Sequence, residues 1–393
     1  MKIFLKKNED RRLLLGHQWV FSNEIERVED FSPDEVIADL YNFRGKFLGR
    51  GFYNKNSLIA FRLLTTSYDE TIDINFFTKR IKDAYKFREQ YTRNNSAFRL
   101  VYGESDFLPG LVIDKYNDLY SIQIFSKGMD YFKDIIVDIL VKELNADAVI
   151  FKNNFPYRKM EGLDLYESVA FSKSNCKLET VIELDGLKYN IDLLSGQKTG
   201  HFLDQVDNRL KLRRFIKPSD TVLDLFCNDG GFSMNAAIAG ANEIIAVDIS
   251  SQAISQMRSN FEINNLNCHI NFYNKDVFDF LKEEIKSGRK YDVVILDPPS
   301  LTKSKKDLKN ATNAYIRLNS QAFSLCKTGG IVFTFSCSGI VSETLFREII
   351  VHSAKLVSRK VRVIDYSLCS FDHCFLPQME ETIYLKAYLL YVI

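Results

Sequence analysis

The stretch that decides the fold is TVLDLFCNDGGF, residues 221–232. Thr221, Val222, Leu223, Leu225 and Phe226 make a β-prone apolar run of strand length, broken near its C-terminal end by Asp224. Gly230 and Gly231 follow, and SMNAAIAGA then reads as a helix with Gly240 near its end. A strand that empties through a glycine turn into a helix N-terminus is where α/β sheets bind nucleotides. Glycine lets the backbone approach the ligand, and the helix start offers free N–H groups. Two glycines alone would mark no more than a βα turn.

The residues downstream change that balance. EIIAV (243–247) reads as a second strand and ends in Asp248, about 20 residues beyond the glycine turn, where an acid can accept ribose hydroxyls. Asp276 follows the apolar stretch HINFY (269–273), and Asp297 closes VVILDPP. Helix capping accounts for Asp248 or Asp276 singly. It does not account for four strands that each end in an acid at βα-unit spacing.

The order D-x-F-x-x-x-G-G-F, VD, KD, LDPP resembles the class I S-adenosylmethionine-dependent methyltransferases. The dinucleotide fingerprint G-x-G-x-x-G is absent, since the turn is Cys227-Asn228-Asp229-Gly230-Gly231, which argues against a dehydrogenase. The resemblance implies an α/β fold whose C-terminal domain is a Rossmann-like class I methyltransferase. It also implies S-adenosyl-L-methionine as cofactor. Asp224 and the Gly230/Gly231 turn would face the methionine part. Asp248, with Ile249 beside it, would hold the ribose. Asp276 would accept the adenine amine, with Val277 against the ring. Phe226, Asn228 and Phe232 belong to the same implied cofactor set.

Bulk properties narrow the rest. A chain of 393 residues predicts two or three domains, and 46% apolar residues supply a sizeable core. A net charge of +1 means that any RNA-binding surface is a local basic patch, not a global field. Seven cysteines without a CxxC pair suggest neither a disulfide framework nor a zinc site, so no metal is expected. The charged start MKIFLKKNEDRR lacks the apolar core of a signal peptide, and no stretch approaches the ~18 apolar residues that span a bilayer. A cytoplasmic protein without a membrane partner is the expectation.

Residues 1–68 read as a small β-rich unit with strands at KIFLK, EVIADLY, KFLGRGFYN and LIAFRLLT. RRLLLGHQWVFSNEI reads as a helix running into a loop. Core packing would account for His17 and Trp19. GHQWVFSNEI followed by GFYN resembles the opening of a PUA-type RNA-binding domain, a small β-barrel. Lys2, Lys6, Lys7, Arg11 and Arg12 would then face RNA or form a solvated surface. Residues 69–185 read as an α+β middle domain: a helix at INFFTKRIKDAYKFREQY, a hairpin of LVIDKY and LYSIQIF around Asn117-Asp118, a helix at YFKDIIVDILVKEL and a strand at AVIFKN. YGESDFLPGLVIDKY resembles the central domain of the bacterial large-subunit (23S) rRNA cytosine-C5 methyltransferases. Glu104, Ser105 and Asp106 would contact RNA or cap a turn.

Residues 186–393 form the predicted methyltransferase domain. The string Gln197-Lys198-Thr199-Gly200-His201-Phe202-Leu203-Asp204-Gln205, with Asp207, Asn208 and Arg209, matches the same family. The match implies that Gln197, Lys198, Thr199, Phe202, Asp204 and Arg209 line the cofactor pocket. In Asp297-Pro298-Pro299-Ser300, Ser300 stands where amino-methylating relatives carry a base-stacking aromatic. Many RNA cytosine-C5 enzymes have a second cysteine there, so the base for the final elimination is unassigned. Lys303, Lys305, Lys306 and Lys309 make a basic loop that would grip phosphates or simply be solvated.

IVFTFSCSG (331–339) runs a β-rich strand into Cys337. Carbon 5 of cytosine is a poor nucleophile until a thiolate adds to C6, so the chemistry needs one reactive cysteine at a strand end. Cys337 stands at the position of the family's nucleophile, and Asp297 would bind the cytosine edge, with the target base flipped out of any duplex. Cys227 lies in the cofactor turn as a packing residue. Cys176, Cys268, Cys326, Cys369 and Cys374 carry no motif. His373, ahead of the last strand, would approach the site or orient a loop.

The expected activity is methyl transfer to C5 of a cytosine in large-subunit rRNA. Two alternatives stay open: methylation of another base or position by the same fold, and a non-catalytic RNA-binding or ribosome-assembly factor. The sequence leaves a homodimer open.

Overall fold

The computed structural model describes residues 1–194, 196, 200–302 and 304–393. Gln197, Lys198, Thr199 and Lys303, four residues singled out above, lie outside them. The chain divides into two compact units. The first holds residues 1–182, 191–203 and 371–382; the second holds 183–190, 204–370 and 383–393.

The second unit is built on a seven-stranded sheet. Its strands run in the order His269–Asn274, Glu243–Asp248, Thr221–Leu225, Tyr291–Leu296, Cys326–Ser336, Lys386–Val392, Val361–Ser367. The first five are parallel, and Lys386–Val392 pairs antiparallel with both its neighbours. Side chains alternate between two buried faces, as a sheet covered on both sides requires. Val222, Ile244, Val293 and Phe333 pack with helix Gly231–Ile238 on one side. Leu223, Leu225, Ile245 and Val294 face helices Val277–Ser287, Leu308–Leu325 and Glu343–Leu356 on the other. The strand order reverses between Thr221–Leu225 and Tyr291–Leu296. A crevice opens at the C-terminal ends of strands at such a switch point.

The first unit contains two sheets. Six strands run in the order Trp19–Val20, Phe61–Thr65, Phe47–Tyr53, Ile37–Tyr41, Lys2–Leu5, Ile25–Glu29, around Ile3, Leu5, Val20, Ala38, Leu40 and Phe61. Of the helix running into a loop expected over RRLLLGHQWVFSNEI, the helix is Arg11–Leu14, and Gly16 at φ +95° turns the chain out of it. Trp19–Val20 then joins the sheet edge opposite Arg62 and Phe61, and Ile25–Glu29 is a strand that the sequence did not suggest. Five further strands run in the order Tyr166–Ser172, Ala148–Asn153, Leu119–Ile124, Leu111–Tyr116, Ala97–Tyr102. The expected hairpin closes through Asn117 at φ +53°, a conformation asparagine tolerates. Helices Ile74–Glu89 and Lys133–Glu143 contribute Phe77, Ile81, Ile136 and Leu140 to the core beneath.

Candidate active site

The candidate site is built from the strand ends at this switch point. Asp224 is fully buried. Its Oδ2 accepts a 2.6 Å hydrogen bond from the Ser233 hydroxyl, while Oδ1 has no hydrogen-bond partner among the described residues. Burial pushes its carboxyl up to about 6, against the pull of Ser233 and Arg209. The chain leaves this strand under strain: Phe226 has φ +63° and Asn228 φ +47°, and a bulky residue in the left-handed region is rare away from functional sites. Both Phe226 N and Cys227 N donate to Val247 O, which ties the turn to the neighbouring strand. Gly230 at φ +89° caps the following helix. A Cβ on Gly231 would lie 2.4 Å from Arg209 Nε, so glycine is required for the buried guanidinium to pack there.

Asp248 accepts from Asn228 N at 3.0 Å and from Ser250 N at 2.8 Å, so its carboxylate braces the glycine turn. Asp276 caps helix Val277–Ser287 by accepting from Phe278 N and Asp279 N. Capping and cofactor contact are compatible, since a carboxylate has about four acceptor sites. Ile249 is 68% exposed and Val277 is buried. Phe232 turns into the core against Phe333 and Phe335, a packing position. Phe202 falls in the first unit, whereas Asp204 and Arg209 belong to the second.

Asp297 sits across the switch point from Asp224. Its Oδ2 accepts from Gln205 Nε2 at 3.0 Å, and the Cys337 thiol reaches its Oδ1 at 3.6 Å. Burial, with Asp204 nearby, pushes its carboxyl up to about 7, although Arg209 and Cys337 pull the other way. Asp204 itself is held by the Tyr384 hydroxyl at 2.5 Å and Ser370 N at 2.8 Å. The Asp297 carboxyl, pushed up to about 7, is part acid and part base near neutrality, the condition that proton transfer needs.

Lys386 is a site residue that sequence reading passed over. The antiparallel register sets it opposite Ser336, one residue before Cys337. Its Nζ donates to Ser338 O at 2.6 Å and to Tyr384 O at 3.1 Å, and no carboxylate of the described residues pairs with it. Burial pulls its ammonium down to about 8, partly offset by Cys337 and Cys369. A lysine in an apolar strand, YLKAYLLYVI, was the available signal. Cys227 is buried, and burial raises its thiol well above the usual range, as an inert packing cysteine requires. His373 pairs through Nδ1 with Asp372 Oδ1 at 2.8 Å and packs on Tyr102, all within the first unit.

The donor set fits S-adenosylmethionine. Asp224 Oδ1 is a buried acceptor without a donor among the described residues, and such a group costs about 1–3 kcal/mol unless a ligand amine satisfies it. Comparison with known proteins agrees. Residues 167–360 match the family model for S-adenosylmethionine-dependent methyltransferases, and residues 3–66 match a PUA-like domain. The chain is 34% identical over 391 residues to ribosomal RNA large subunit methyltransferase I of Shigella dysenteriae, covering 99% of this chain and 98% of that one. It is 37% identical over 394 residues to the protein of that name from Shewanella frigidimarina, with 98% of each covered. The chain belongs to the ribosomal RNA large subunit methyltransferase I family. Its fold is that of a solved structure from Streptococcus mutans, a suggested SAM-dependent methyltransferase, with TM-score 0.84, 22% identity and 99% of each chain covered. A second solved structure, a suggested methyltransferase complexed with SAH, gives TM-score 0.85 at 23% identity, again with 99% of each chain covered. Like them, the chain is a mixed α/β protein with an S-adenosylmethionine-dependent methyltransferase domain. Among the described residues no helix is long and apolar enough to cross a membrane.

Proposed function

We propose that this chain transfers a methyl group from S-adenosylmethionine to C5 of a cytosine in large-subunit (23S) rRNA, through a covalent bond between Cys337 Sγ and C6 of the base. The observation that carries this reading is the Cys337 thiol, 3.6 Å from Asp297 Oδ1. It lies in a chain that shares 34–37% identity over nearly its whole length with proteins named ribosomal RNA large subunit methyltransferase I.

Bound S-adenosylmethionine supplies an electrophilic methyl group. The chain's residues prepare the acceptor. The Cys337 thiolate adds to C6 while Asp297, as the acid, gives a proton to N3, so C5 becomes enamine-like and takes the methyl. Loss of the C5 proton, expulsion of the thiolate and return of the N3 proton to Asp297 restore the ring. The Lys386 ammonium favours the thiolate by its charge. Asp224 Oδ1 would accept from the cofactor's amine, Asp248 would hold the ribose and Asp276 the adenine. In this reading three domains, 1–68, 69–185 and 186–393, act together in the cytoplasm, the first two on RNA.

The test is tritiated methyl transfer to large-subunit rRNA that lacks its own modification, with the wild type beside Cys337→Ala. Label appearing as 5-methylcytosine, and lost in the variant, is the expected result. Label that survives in Cys337→Ala removes the covalent step and leaves methylation of another position. Cofactor binding without transfer to any RNA favours a binding or assembly factor.

A further inference from the structure

The first unit holds a cleft of about 590 Å³ that the chemistry above does not use, within the size range of ligand pockets. Every residue lining it belongs to the first unit. Its walls carry Trp19, Tyr102, Phe125 and Tyr157, with the carboxylate of Glu104 and the guanidinium of Arg62 between them.

The two charges are unequal in what they leave available. Arg62 donates to Glu161 at 2.9 Å, and Glu161 also accepts from Asn54, Ser57 and Lys127 N. Burial alone would raise the Glu161 carboxyl, but Arg62, Ser57 and Asn54 outweigh it and hold it below its ordinary value. That pair is closed. Glu104 is different. Its Oε1 accepts from the Trp19 indole at 2.9 Å and lies 3.6 Å from Arg62 Nη1, while no donor of the described residues reaches Oε2. The backbone under it is fixed. Gln18 Nε2 donates to Glu104 O at 2.8 Å, and Asp106, two residues on, is clamped by the buried Arg88. At the mouth, Tyr157 is 55% exposed, Met160 61% and Leu58 62%.

A flat aromatic lining with one rigid, half-used carboxylate matches a planar ligand that brings an N–H donor. We propose that this cleft receives an unstacked nucleobase of the RNA substrate, and that Glu104 Oε2 selects a base bearing an amino group over uracil. Aromatic side chains bind any base by its face. Selection comes from the edge. Cytosine presents an N4 amine that a carboxylate accepts, whereas uracil presents O4 there, which a carboxylate repels. The inference rests on an RNA substrate but concerns a second nucleotide, apart from the base that is methylated.

Trp19 is the sole tryptophan, so its fluorescence reports on this cleft directly. The full chain, saturated with S-adenosylhomocysteine, is titrated with hexamers of cytidine and of uridine. Quenching that saturates at about fivefold lower concentration with the cytidine hexamer is expected, the size of one hydrogen bond. Glu104→Gln, which can donate as well as accept, should lose that preference. Tyr157→Ala should weaken both hexamers about tenfold. Unchanged S-adenosylhomocysteine binding checks that each variant is folded. Equal quenching by the two hexamers, a preference that persists in Glu104→Gln, or displacement of the hexamers by spermidine alone would overturn the proposal. Hexamer preference without methyl transfer to rRNA would sink the proposed function and leave the cleft standing.

Discussion

Both units bury ionised groups, and they treat them in opposite ways. In the first unit Arg88 is 0% exposed and grips Asp106 with two nitrogens while also donating to Asp372 O. Burial alone would lower its guanidinium, yet Asp106 outweighs the cost and raises it. Glu161 is similarly closed by Arg62. In the second unit the acids Asp224 and Asp297 are pushed up to about 6 and about 7, and Lys386 is pulled down to about 8. Groups neutralised by partners hold a fold together. Groups left short of partners are poised to exchange protons near neutrality.

The sharpest test of the contrast is Asp297→Asn. Methyl transfer should fall by about 10²–10⁴-fold, the range for a lost general acid. Stability should move the other way. An unfolded aspartate titrates near ~3.9, and the folded one near about 7. The native state therefore holds the extra proton between those values. Its stabilising share is complete below about pH 4 and is lost as pH rises through about 7. Removing the charge should add on the order of 1–3 kcal/mol at pH 8 and little at pH 4, read by urea unfolding. An equal effect at both pH values would break the contrast.

Arg88→Met should do the reverse. It strands Asp106 in the interior and should cost about 3–5 kcal/mol of stability of the first unit, with single-turnover transfer by the folded fraction intact. A smaller effect is expected for Lys386→Met. Alkylation of Cys337, followed by mass spectrometry across a pH series, should slow about tenfold near pH 7.5, with its profile shifted to higher pH. An unmoved profile would make Lys386 a packing residue. The smallest change is expected for Cys227→Ala, with transfer within about twofold and stability lowered by about 1 kcal/mol.

Much of the second unit was legible because its signals are local. The strand, turn and helix over residues 221–238 declare themselves by period and by glycine, and the acids at 248, 276 and 297 by their place after apolar runs. The helix Arg11–Leu14 was legible from the composition of RRLLL, but the strand Trp19–Val20 in the expected loop was not, because its pairing with Phe61 and Arg62 is decided outside the segment. The expected turn-capping role in YGESDF holds for Asp106, which accepts from Tyr102 N, but the segment's long-range contacts were illegible. Asp106 proves to be the partner of Arg88 and Glu104 that of Trp19, contacts across 18 and 85 residues.

The class of the fold, the order of the strand-end acids and Cys337 directly after a strand could be read from the residues alone, since each is set by neighbours within a few positions. Which of these groups meet is a matter of tertiary packing. The strand reversal sets Asp297 across from Asp224, and the antiparallel last strand carries Lys386 to Cys337. The same packing stripped water from both carboxylates. Desolvation belongs to the whole packed core, so no window of sequence contains it.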